Sequence, residues 1–138
     1  MEKLETNKVL SMLWLFAILN YLYCDIVGLM DANLLGQFLS GTVGGMEISQ
    51  GFLLTASILM EIPIAMVVLC RLLSFKPNRV LNITAGLLMT LVQMATLIGT
   101  PTAYFIFFST IEIGTTAFIA WKAWRWQGKT MASNLSDR

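Results

Sequence analysis

Apolar residues fill this chain in four blocks, near 8–30, 49–73, 78–99 and 102–125, with polar and turn-forming residues gathered between them. At 1.5 Å per residue, a block of about 20 residues crosses roughly 30 Å of hydrocarbon as a helix. The pattern predicts an all-α membrane protein: a four-transmembrane-helix bundle forming one domain over 1–138. Pro77 in "KPNRV" suits a first helical turn, and in "TPTAY" Thr100 suits a cap with Pro101 at the first helical position. The outer loop 31–48 carries its own helical pattern, in which Asp31 caps a short interfacial helix through Ser40 with Leu34, Leu35, Phe38 and Leu39 on one face. That helix reads either as resting on lipid or as a lid hinged at the glycines of "GTVGG".

At 100° per residue the polar and small residues of each block share a face. They are Ala17, Asn20, Tyr21, Cys24, Asp25 and Gly28 in the first block, and Ser57, Glu61 and Ala65 in the second. In the third they are Asn82, Gly86, Gln93, Thr96 and Thr100, and in the fourth Ser109, Glu112, Thr116, Ala120 and Ala123. These faces are expected to turn inward. Glu61 and Glu112 then lie near mid-membrane with Asn20, while Asp25 and Gln93 lie toward the outer leaflet. No Lys or Arg shares their depth. A carboxylate at the bilayer centre costs at least ~2.5–3.5 kcal/mol, so each acid must be neutralised or turned away from lipid. Asn20, Tyr21, Gln93, Ser57 and Ser109 are candidate hydrogen-bond partners. Pro63, two residues after Glu61, removes an amide donor and frees the carbonyl of Leu59.

Composition narrows the chemistry. Of 138 residues, 57% are hydrophobic and 12% charged, too apolar for a soluble domain of this size. With no histidine and two cysteines far apart, a histidine-ligated haem, a Cys/His zinc site and a histidine-based triad are excluded. No cofactor, metal or nucleic-acid partner is expected. Cys24 and Cys70 differ in depth by roughly 20 Å and are expected to stay unbridged.

The nine basic residues are segregated: Lys3 and Lys8 before the first block, Arg71, Lys76 and Arg79 around the second connection, and Lys122, Arg125, Lys129 and Arg138 at the end. By the positive-inside rule both termini, including the tail 126–138, are cytoplasmic. Trp121, Trp124 and Trp126 form an inner aromatic anchor, with Tyr104 and Tyr23 nearer the outer interface. A cleaved signal peptide is not expected, because no A-x-A-like site precedes Asp31.

An internal echo runs through the chain. "NKVLS" at 7–11 answers "NRVLN" at 78–82, and "EIPIAMVVLCR" at 61–71 answers "EIGTTAFIAWK" at 112–122. Read as a parallel repeat, it makes Glu61 and Glu112 equivalent and sets them facing each other across a pseudo-twofold axis. Read as shared membrane composition, it carries no such symmetry.

The stretches "LWLFAILNYLYCDIVGLMD", "LLTASILMEIPIAMVVLCRLL", "NRVLNITAG" and "YFIFFSTIEI" resemble an uncharacterised family of small bacterial four-helix integral membrane proteins, a domain of unknown function. The resemblance implies a bacterial inner-membrane protein and brings no activity, ligand or site residue with it. From the residues themselves the expected function is an acid-lined cavity within the bilayer that binds a hydrophobic or cationic small molecule, with proton-coupled transport. Its ligand-binding residues would be Glu61, Glu112, Asp25, Asn20, Gln93 and Tyr21. Two alternatives stay open: a membrane enzyme using a Glu acid/base pair on a lipid-soluble substrate, and a structural or partner-binding subunit, with self-association admissible in each case.

Overall fold

A computed structural model describes residues 5–127. Five helices account for nearly all of it: α1 (Thr6–Met30), α2 (Ala32–Leu39), α3 (Gln50–Leu72), α4 (Phe75–Thr96) and α5 (Ala103–Arg125). A hairpin of two-residue strands, β1 (Thr42–Val43) and β2 (Met46–Glu47), lies between α2 and α3. Three helices, α1, α3 and α5, are long and apolar enough to cross a membrane.

The long helices pack in the order α3, α1, α5, α4, with α3 and α4 meeting only lightly. Each contributes a stripe at spacings of three and four to a common core: Leu10, Trp14, Ala17 and Tyr21 from α1, Met66 and Cys70 from α3, Ala85 and Met89 from α4, Ile119 and Ala123 from α5. Outside that core the helices present Leu, Ile, Phe and Met to their surroundings. In water such a surface would be a liability, whereas hydrocarbon is its natural solvent.

Helix boundaries follow local chemistry. The Asp31 carboxylate accepts hydrogen bonds from the amides of Asn33 and Leu34 and so starts α2, and Ser49 Oγ accepts from Phe52 N at the start of α3. Pro77 falls in the first turn of α4, which begins at Phe75. The expected cap at Thr100 is corrected: Thr102 flanks α5, and Thr100 and Pro101 belong to the connection that follows Gly99 at φ +121°. Of the two readings of the outer loop, the one that made its glycines a hinge is replaced at Gly44 and Gly45 by a turn. Gly44 (φ +56°) and Gly45 (φ +80°) form the tight turn of the β1–β2 hairpin, both in the left-handed backbone region that such turns require. Gln37 Oε1 accepts from Gly44 N and ties that turn to α2.

At one end of the bundle a buried polar knot joins three helices. Trp14 Nε1 (α1) donates to Asn82 Oδ1 (α4) at 2.8 Å, and Cys70 Sγ (α3) donates to the same oxygen at 3.3 Å. Asn82 Nδ2 donates to Asn78 Oδ1, and Asn78 Nδ2 donates to the carbonyl of Cys70. Beside the knot, Arg79 donates to the carbonyls of Ala123 and Trp124 and closes the C-terminal end of α5. Lys8, Arg71, Lys76, Arg79, Lys122 and Arg125, all the basic residues that the structure describes, gather at this end. Lys3, Lys129, Arg138 and the tail from residue 128 lie outside the described residues.

Candidate functional site

Glu112 projects from the middle of α5 into the bundle and is 1% exposed. Both of its carboxyl oxygens are buried with no hydrogen-bond partner among the described residues, and the Tyr21 hydroxyl of α1 shares that condition. Tyr21, Cys24 and Asp25 occupy one turn of α1 in the same part of the bundle as Glu112. The one ion pair among the described residues is Lys8 with Glu5, far from these acids. No basic group among the described residues pairs with them.

The surroundings hold Glu112 in place. Thr116 Oγ1 bonds the Glu112 carbonyl at 2.9 Å and meets Thr90 Oγ1 of α4 at 2.8 Å. One turn nearer the other end, Gln93 Nε2 donates to Ser109 Oγ at 2.8 Å. These bonds, and the packing of Gly86 of α4 directly against the α5 backbone at Thr116, seat α4 against α5, leaving the Glu112 carboxyl without a donor. A carboxylate so placed is strongly disfavoured.

The expected site residues divide. Glu112, Tyr21 and Gln93 are buried in the bundle, and Asp25 is exposed on α1 beside Tyr21. Asn20 is half-buried, and its amide donates to the Phe16 carbonyl of its own helix. Glu61 is displaced from the group: it lies on the exposed face of α3, as does Ser57, with Ala65 half-buried beside them. The inward face of α3 is instead Pro63, Met66 and Cys70. The polar stripe of α3 therefore does not turn inward, and the expected pairing of Glu61 with Glu112 across a pseudo-twofold axis is corrected. The cause is that α3 is apolar nearly all round, so its small apolar face packs on α1 as readily as a polar one. An acid/base pair of these two glutamates has no geometry here.

Between α1 and α3 a groove of about 260 Å³ is lined by Ile18, Tyr21, Leu22, Asp25, Met60, Pro63 and Ile64. Its walls are apolar except for the Asp25 carboxyl and the flank of Tyr21. A wider cleft of about 540 Å³ lies at the end opposite the knot, where α2 meets the α4–α5 connection, and Tyr104 Oη donates there to Asp31 Oδ2 at 3.4 Å. Cys24 and Cys70 are both free and buried. Among the described residues, no group of three or more acidic, Cys or His side chains could hold a metal ion.

The knot residues Trp14 and Asn78 were not singled out from the sequence. Their signal was an indole N–H in an apolar run, which needs an acceptor, and two asparagines four apart on one helix face. No curated protein and no solved structure matches the chain. One family profile matches residues 2–133, nearly the whole length, and the protein therefore belongs to the family of unknown function DUF6326.

Proposed function

We propose that the protein is a four-span integral membrane protein whose Glu112 exchanges a proton for a cationic ligand inside the bundle. The observation that carries this reading is the Glu112 carboxyl, both of its oxygens buried and unpartnered among the described residues. An acid kept for packing would be matched to donors, because each unmade bond of a buried polar group costs about 1–3 kcal/mol. An acid kept for exchange holds a proton when alone and yields it when a positive charge arrives.

The fourth span is α4. Its 22 residues are long enough, its charged residues Lys76 and Arg79 lie within its first five positions at the basic end, and Asn78, Asn82 and Gln93 are buried against its neighbours. With four spans and the basic residues at one end, both chain ends are cytoplasmic. Infrared difference spectroscopy on protein in lipid tests the reading at Glu112. Adding a lipophilic cation is expected to remove the carbonyl stretch of an un-ionised carboxylic acid, and Glu112→Gln is expected to remove that change. A wild-type spectrum with no carboxylic-acid band that depends on Glu112 would overturn it.

A further inference from the structure

We propose that the groove between α1 and α3 is a lateral binding site for a lipophilic ammonium ion, its apolar body against Ile18, Leu22, Met60, Pro63 and Ile64 and its charge at Asp25. The inference extends the reading of Glu112 by naming the ligand class and the place where it docks. Shape, charge and connectivity each contribute to it.

The groove's volume of about 260 Å³ suits an alkyl chain or a single small ring. It opens between two helices on the apolar surface of the bundle, so a ligand dissolved in lipid reaches it without crossing water. Pro63 is one of its walls. Having no amide hydrogen, Pro63 leaves the Leu59 carbonyl without its helical donor, one turn from the groove.

The only charged side chain lining the groove is Asp25, and its carboxyl has no ion-pair partner among the described residues. A neutral ligand would leave that carboxyl unmatched in hydrocarbon, and an anion would be repelled. An ammonium ion supplies both the charge and the donors that the carboxylate lacks, and the Tyr21 ring beside it adds attraction for a cation at its face.

Tyr21 also connects the groove to Glu112. Its side chain lines the groove, while its hydroxyl is buried without a partner in the region of Glu112. A cation at Asp25 therefore sits one side chain away from the acid that would release a proton.

Octylamine and octanol, equal in chain length and different in charge, are the probes. Binding is measured by equilibrium dialysis to the full chain in nanodiscs, with empty nanodiscs as the reference for partition into lipid. The wild type is expected to prefer octylamine on the order of tenfold or more, as a desolvated charge pair allows. Asp25→Asn is expected to erase that preference while keeping octanol binding, and Ile64→Trp, which fills the groove, to weaken both. Glu112→Gln is expected to keep the preference and lose only the infrared change. Equal binding of the two probes by the wild type, or an Asp25→Asn protein that still prefers the amine, would overturn the site. A preserved amine preference without any infrared response at Glu112 would leave the groove standing and remove the exchange reading instead.

Discussion

Asn82 does more connecting than any other single side chain described: one amide accepts from Trp14 and Cys70 and donates to Asn78, joining α1, α3 and α4. Asn82→Leu keeps a similar volume but strands the Trp14 N–H and an Asn78 oxygen in an apolar interior. A loss on the order of 1–3 kcal/mol is expected, read as a lower Tm in detergent. Glu61→Leu is the contrasting case. Glu61 is exposed on α3 and makes no side-chain hydrogen bond or ion pair among the described residues, so replacing it with an apolar side chain is expected to leave Tm unchanged or raise it. A fall in Tm comparable to that of Asn82→Leu would mean that Glu61 bears on the fold through contacts absent from a single chain. The sequence made Glu61 and Glu112 look alike, each an acid in mid-helix followed by isoleucine. What separates them is which side of each helix is packed, and that is decided by the partner helix. The burial of Glu112 was legible from its place on the small and polar stripe of its helix; its lack of donors became visible only once α1 and α4 were in place around it.

At the scale of the element, α4 and α5 approach closely at Gly86. A Cβ there would meet the Thr116 carbonyl oxygen at 2.9 Å and the Ala120 backbone nitrogen at 3.1 Å, both fixed parts of a helix. Gly86→Ala must therefore push the helices apart, a cost on the order of 1–3 kcal/mol, and would also disturb the Thr90–Thr116 contact. Gly114 lies in α5, where an added Cβ would meet nothing within 4 Å, so Gly114→Ala is expected to gain up to about 1 kcal/mol from helix propensity. Thermal unfolding of the two variants side by side should move in opposite directions. Equal shifts would show that close approach at Gly86 does not matter. The small residues of α4 and α5 announced this seam in the sequence, since Gly86 and Ala120 fall on the polar stripes of both helices. The α3 stripe misled because small and polar residues of one helix can serve either as a packing face or as an outer face, and periodicity alone carries no sign. The outer loop was read as an interfacial helix or as a lid hinged at its glycines, and the hairpin that pairs Thr42 with Glu47 across a glycine turn was not foreseen.

For the whole molecule, charge and hydrophobicity must agree on one orientation. Every basic residue that the structure describes lies near the Asn82 knot, while Asp31 and Glu47 lie toward the opposite end, next to α2 and the hairpin. Carrying the basic end across the bilayer would require six described positive side chains to traverse hydrocarbon, so the proposed threading puts the knot on the cytoplasmic side and the hairpin outside. The position of Thr100 follows from α4. If α4 spans, the α4–α5 connection emerges on the same side as the hairpin. If α4 does not span, α5 would have to cross in the opposite sense and its packing along α4 would be lost. Single cysteines introduced as Glu47→Cys, Lys76→Cys and Thr100→Cys can decide the matter with a membrane-impermeant maleimide, because Cys24 and Cys70 are buried and do not compete. The residues replaced are all exposed, so each new thiol is reachable from the water on its own side. Positions 47 and 100 are expected to react in intact cells, and position 76 only after the membrane is opened. Reaction at 47 and 76 from the same face would break the threading at α3. Protection at 100 together with reaction at 47 would break it at α4, and with it the enclosure that keeps Glu112 away from water.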